Sequence, residues 1–203
     1  KNGIWVSGFF GSGKSHFIKV LSYLLENADH AHNGEQRRAV DFFAEKLSDA
    51  MLFGDLKKVV AASIDTVLFN IDVKADHRSG RDALLQVFLK LLNEKQGYSG
   101  DYPHIAHMER HLDERGLLAV FHEAFERASW DSWLDERDAW EFHRDEVVAA
   151  LTEALGQSEG SVEKWVDGGE ENFSLTVENF AKWVKRYLDR KGPDHRIMFL
   201  ADE

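Results

Sequence analysis

The sequence has no cysteine and only 2 prolines in 203 residues. Without thiols there is no disulfide scaffold, no thiolate zinc site and no cysteine nucleophile. So little proline, beside 15 glycines, excludes collagen-like and Pro/Gly-rich low-complexity chains. No apolar run approaches the roughly 18 residues of a membrane-spanning helix, and Lys1-Asn2-Gly3-Ile4-Trp5 does not read as a signal peptide. These absences predict a cytoplasmic protein with no membrane partner. Positive charge is also scarce. With 25 Lys+Arg against 36 Asp+Glu the formal net charge is −11. That argues against a nucleic-acid footprint over the whole surface, while leaving room for a local basic groove. Apolar residues at 43% and charged residues at 30% fit a folded globular chain. Both ends read as cut, because each lies at an apolar strand pattern; the expectation is a piece of a longer protein.

Patterning along the chain alternates. Gly3–Ser7 reads as a short strand, followed by a glycine-rich turn and a helical 3–4 spacing at Phe17, Ile18, Val20, Leu21, Leu24 and Leu25. Asn27–Gly34 reads as a loop, Glu35–Met51 as an amphipathic helix and Asp55–Ala62 as a short helix. Thr66–Val73 reads as a buried strand, Arg81–Glu94 as a helix, Val177–Arg190 as a helix stopped by Gly192-Pro193, and Ile197–Glu203 as a last strand. This alternation predicts an α/β fold, a parallel sheet covered by helices. The middle shows only helical patterns: 105–115, 117–127, 130–143, 145–155 and 162–166. The expected organisation is therefore a first core part over 1–97, a helical insertion over 98–169, and a returning helix and strand over 170–203.

Gly8-Phe9-Phe10-Gly11-Ser12-Gly13-Lys14-Ser15 matches G-x-x-x-x-G-K-[ST] at every fixed position. Such a loop wraps phosphate oxygens with its N–H groups, and glycine permits the backbone path. The helix that follows adds its positive dipole end. Lys14 would reach the terminal phosphates of ATP, and Ser15 would ligate Mg²⁺. Ile197-Met198-Phe199-Leu200-Ala201-Asp202-Glu203 reads as a strand delivering two acids. Asp202 would help hold the Mg²⁺ shell, and Glu203 would polarise the attacking water.

The first motif with its flanks, from Gly3 to Phe17 and on through Leu21–Asn27, resembles the BrxC/PglY family of P-loop proteins from BREX phage-defence systems. The resemblance runs on through Val67–Asp72, Asp82-Ala83, Val87-Phe88, Gln96-Gly97-Tyr98 and Phe199–Glu203. It implies an AAA+-like P-loop NTPase sheet, incomplete at the C-terminus, in the N-terminal part of a large ATPase. It also implies an antiviral role with a methyltransferase, a PglZ-type protein and DNA, in an oligomeric assembly. Residues Gly8–Ser15, Asp202 and Glu203 carry over to the family's Walker A and Walker B positions. A nucleotide-gated scaffold with little turnover is the alternative. A small-molecule kinase fits less well, because an acid follows the strand Asp.

Weaker signals favour bland readings. His104, His107 and His111 could form a metal stripe, but a solvated helix face beside Glu109 and Arg110 is the simpler expectation. Trp130, Trp133, Trp140, Trp165 and Trp183 read as core or partner packing rather than base stacking. Lys182, Lys185, Arg186, Arg190 and Lys191 read as a solvated face. Asp72 and Asp76 end the middle strand, where they could approach the site, and are assigned no role.

Overall fold

The computed structural model describes residues 3–32, 34–70 and 80–202. The first helix, α1, spans Lys14–Glu26 between two left-handed residues, Gly13 at φ 85° and Asn27 at φ 45°. Glycine adopts that conformation without a Cβ clash, and asparagine is among the few residues that tolerate it. Asn27 closes the helix through its N–H to the Tyr23 carbonyl, and its Oδ1 accepts from the Val40 N–H at 3.0 Å.

The next segment departs from the expected loop and long helix. Strands β1 (Asp29–His32) and β2 (Glu35–Arg38) form an antiparallel ribbon, with Asp29 opposite Arg38 and their side chains paired at 3.5 Å. Gly34, at φ 82°, supplies the turn conformation. A 3₁₀ turn, Ala39–Phe43, follows. Helix α2 (Ala50–Val60) starts only at Asp49, whose Oδ1 accepts from the Met51 and Leu52 N–H groups at 2.9 and 3.1 Å. That cap, rather than apolar spacing, decides where the helix begins.

Strand β3 (Ser63–Asn70) pairs in parallel with β4 (His195–Asp202), in register from Ser63↔His195 to Asn70↔Asp202. Between them run α3 (Gly80–Lys95), α4 (Pro103–Asp113), α5 (Leu118–Ser129), α6 (Trp133–Glu136), a 3₁₀ stretch (Arg137–His143), α7 (Arg144–Leu155), α8 (Glu159–Asp167), α9 (Gly169–Asn172) and α10 (Val177–Lys191).

This overturns the expected fold class. The chain is 62% helical, and its described strands form two sheets of two strands each, so it is not a P-loop NTPase parallel sheet carrying a helical insertion. The expected strand at Gly3–Ser7 is irregular, with Ile4 91% and Trp5 84% exposed. A strand exists through its ladder, and this short run joins none of the described ladders. Ile71–Val73 of the expected middle strand lies outside the described residues.

The chain divides into two compact units, Lys1–Leu84 with Ala181–Glu203, and Leu85–Phe180. In the first, Leu24, Val40 and Val60 form a small core with Phe43, Phe53 and Leu56. In the second, Trp133 meets Phe121 and Phe125 edge-on at centroid distances of 5.0 and 5.1 Å. Beside that aromatic centre Glu109 is buried at 1% exposure. Its Oε1 accepts from Trp133 Nε1 at 2.8 Å and its Oε2 from the Ser99 N–H at 2.6 Å. Arg137 lies 3.4 Å from Oε1 and also donates to the Gly97 carbonyl at 2.8 Å. The carboxylate thus fastens the Gly97–Ser99 loop to the core.

Glu109→Ala would leave two buried donors unsatisfied, at about 1–3 kcal/mol each; chemical denaturation should show a loss of about 3 kcal/mol. Burial pushes the Glu109 carboxyl above its ordinary value of 4.5, against the pull of its hydrogen bonds and Arg137. A raised carboxyl contributes stability that is complete below 4.5 and is lost as pH rises through the raised value. The stability of Glu109→Gln relative to wild type should therefore improve as pH rises across that window. A difference that does not move with pH would contradict the assignment.

Candidate functional site

The loop Gly8–Ser15 leads straight into α1. Gly11 and Gly13 sit at φ 76° and 85°, where a side chain is strained. At Gly8 a Cβ would stand 2.7 Å from Ser12 Oγ, a contact that rotation of the serine side chain relieves. Within the loop the Ser12 N–H donates to the Phe9 carbonyl at 3.1 Å, and Phe17 begins the helix ladder by donating to Gly13 at 2.9 Å. The N–H groups of Lys14, Ser15 and His16 therefore stand at the positive end of α1 without acceptors inside the helix. No acidic residue occupies that first turn, so the local field favours an incoming anion.

Lys14 Nζ donates to the Gly8 carbonyl at 3.1 Å and the Phe9 carbonyl at 3.2 Å, which holds the ammonium against the curve of the loop. Phe9 and Phe10 project outward at 91% and 105% exposure; they would serve a ligand through backbone only. Ser15 Oγ donates to Asp202 Oδ1 at 3.1 Å, across 187 positions of sequence. The parallel register carries Asp202 to the end of β4, opposite Asn70, beside the start of α1. Two hard oxygen donors side by side suit Mg²⁺, which takes few protein ligands and completes its shell with water and phosphate oxygens. Among the described residues no group of three or more acidic or histidine side chains could hold a metal. Glu203, Asp72 and Asp76 lie outside the described residues.

The other candidates find different surroundings. Of the histidines on α4, His104 and His111 are half-buried among aromatic rings, whereas His107 is exposed, as the solvated-face expectation has it. His104 lies edge-on to Trp140 at 5.3 Å, His107 near Phe173 at 6.2 Å and His111 near Trp165 at 5.6 Å. Burial lowers the pKa of His104 and His111 below the ordinary imidazole value. Arg110, like Glu109, is buried, with its guanidinium donating to Asn93 Oδ1. Trp133 and Trp183 are core, whereas Trp130 is 89% exposed. On α10, Lys185 pairs with Asp189 at 2.7 Å.

Two features went unread in the sequence. An apolar groove of about 430 Å³ is lined by Val20, Tyr23, Leu24, His30, Ala39, Phe42 and Phe43. It flanks the second half of α1, where Tyr23 is about 13 Å along the helix from Lys14, and so does not extend the Gly8–Ser15 loop. The second is a polar cluster of Ser63, Asp65, Tyr187 and His195 where β3 and β4 begin. Its signal was two polar residues at the head of one apolar strand and a histidine at the head of the other.

No protein-family model matches the chain, and no solved structure matches it at a significant level. No helix among the described residues is long and apolar enough to cross a membrane.

A charge-assisted hydrogen bond is worth about 1.5–3 kcal/mol, so in a loop that holds ATP through Lys14 the Lys14→Ala change weakens binding by about 10- to 100-fold. Titration with a fluorescent ATP analogue checks this, and unchanged affinity would remove the loop from consideration.

Proposed function

We propose that the Gly8–Ser15 loop and Asp202 bind Mg²⁺ and ATP, and that the chain is the ATP-hydrolysing module of a bacterial BREX phage-defence protein. The observation that supports this most is the Ser15–Asp202 hydrogen bond at 3.1 Å. It joins the last residue of the loop motif to the acid at the end of the distant strand, as coordination of one cation by both would require. Bound Mg²⁺ would neutralise charge on the terminal phosphates. The chain's own residues would do the rest. Backbone N–H groups of the loop cradle the phosphates, and Lys14 exchanges its carbonyl contacts for phosphate oxygens. Ser15 and Asp202 keep the metal-side oxygens in place, and Glu203 orients the water.

The defence assignment rests on the resemblance of the residues around the loop and in Val67–Asp72, Gln96–Tyr98 and Phe199–Glu203. On this reading the module is cytoplasmic and acts in an oligomer. It works with a methyltransferase and a PglZ-type partner, on DNA through the larger assembly, and each ATP cycle drives or licenses that complex. A second reading, a nucleotide-gated scaffold, draws on the position of Lys14. Its bonds to Gly8 and Phe9 must break when nucleotide enters, so occupancy alone changes the loop.

Steady-state hydrolysis of wild type and Glu203→Gln, compared at matched ATP occupancy, separates the two. A hydrolase shows turnover that the variant loses by at least about 100-fold, the lower range for a general base. Equal rates in both proteins would remove Glu203 from the mechanism, and binding without turnover in both would favour the scaffold.

A further inference from the structure

Ser63 and Asp65 open β3, and His195 opens β4 directly opposite Ser63. Residues two apart on a strand face the same side, so Ser63 and Asp65 flank the imidazole. Ser63 Oγ is 2.7 Å from His195 Nδ1, and Asp65 Oδ2 is 2.9 Å from His195 Nε2. An ionised carboxylate only accepts hydrogen bonds. Asp65 therefore fixes the proton of the neutral imidazole on Nε2, leaves the Nδ1 lone pair facing Ser63, and makes the serine hydroxyl the donor.

The surroundings hold this row in place. Tyr187 donates its hydroxyl to Asp65 Oδ2, and Lys191 Nζ lies 3.8 Å from the same oxygen. The Tyr187 ring stands edge-on to the imidazole at 6.0 Å. Burial, then its bond to Asp65, pushes the Tyr187 phenol above its ordinary value, so it stays a donor and does not compete as a base. Arg190 and Glu26 also act on that phenol. His195 is 8% exposed, whereas Ser63 is open to solvent. A reachable hydroxyl, a shielded base and a fixed acceptor behind the base are the parts of an activated nucleophile.

We propose that Ser63 is an imidazole-activated nucleophile that takes the acyl group of a small activated ester, with His195 as its base and Asp65 as a positioning residue. In the step, Ser63 Oγ bonds to the ester carbonyl carbon while its proton passes to His195 Nδ1. The carbon–oxygen bond to the leaving alcohol then breaks, and that oxygen takes the proton back from Nδ1. Asp65 keeps its charge throughout. The open position of Ser63 suits a small donor. The site is independent of the nucleotide reading, being at the other end of the same strands, about 23 Å away at ~3.3 Å per residue.

The cysteine-free chain gives a clean test. In Ser63→Cys the introduced thiol is the only one, and beside an oriented imidazole it ionises readily. An isolated exposed thiol is roughly 0.3% thiolate at pH 6. Iodoacetamide at pH 6 should alkylate Ser63→Cys at least about 10-fold faster than the exposed control Ser174→Cys. Adding His195→Gln to Ser63→Cys should erase the difference. A wild-type arm uses p-nitrophenyl acetate, with intact-mass and peptide mapping. It should place one acetyl group on Ser63 and none on Ser63→Ala, whatever the folding of the cysteine variants. Equal alkylation rates in variants that melt like wild type, or an acetyl group found elsewhere or nowhere, would reduce the cluster to a clamp on the strand ends and overturn the proposal.

Discussion

Parallel pairing of β3 with β4 is the constraint on which both polar sites depend. A parallel register aligns like ends, so residues far apart in sequence meet at both extremities of the pair. At the C-terminal end Asp202 stands opposite Asn70 and within hydrogen-bond reach of Ser15. At the N-terminal end His195 stands opposite Ser63, with Asp65 on its other nitrogen. A slip of one residue would turn every side chain of one strand to the opposite face and would dissolve both arrangements. Val67 and Phe69, buried on one face of β3, oppose such a slip. Glu26 adds to this: its Oε1 accepts from the Thr66 N–H at 3.0 Å and ties the end of α1 to the middle of β3.

The two sites use opposite electrostatic designs. The loop and the start of α1 gather donors, unpaired helix N–H groups and an ammonium, and the matching acceptor comes from a distant strand. That arrangement suits an anion held through a metal. The strand-head cluster gathers acceptor and base around one hydroxyl, and its anion, the Asp65 carboxylate, is held by Tyr187, His195 and Lys191. The helical unit Leu85–Phe180 is built differently again. Its buried charges serve structure: Glu109 ties the Ser99 loop to Trp133, and Arg110 joins its helix to Asn93 on α3.

What could be read from the sequence followed from how local each feature is. The Gly8–Ser15 motif is contiguous, so its glycine turn into a helix, with Gly11 and Gly13 at positive φ, shows in the sequence. Helix α1 shows in the spacing of Phe17 to Leu25, and the last strand in four successive apolar residues. The sheet was misread because pairing is not local. Ile4-Trp5-Val6 has the composition of a strand but no ladder among the described residues, and an alternating order of elements does not supply one. The ribbon at 29–38 was missed because its strands are short and polar, and the start of α2 because Asp49 caps it. Glu109 and Arg110 looked solvated because their partners lie up to 28 positions away, and the strand-head cluster was hidden by separations of 130 and 132 positions.

On the proposed reading, Ser15 and Asp202 together form the protein half of a Mg²⁺ site for ATP. The most direct measurement is calorimetric titration of ATP into the chain, with Mg²⁺ and with a chelator, for wild type and Ser15→Ala. Mg²⁺ should tighten ATP binding to wild type by at least about 10-fold, a difference of about 1.4 kcal/mol, and Ser15→Ala should lose most of that gain. Equal affinity with and without the metal in wild type, or a full metal effect in Ser15→Ala, would contradict it.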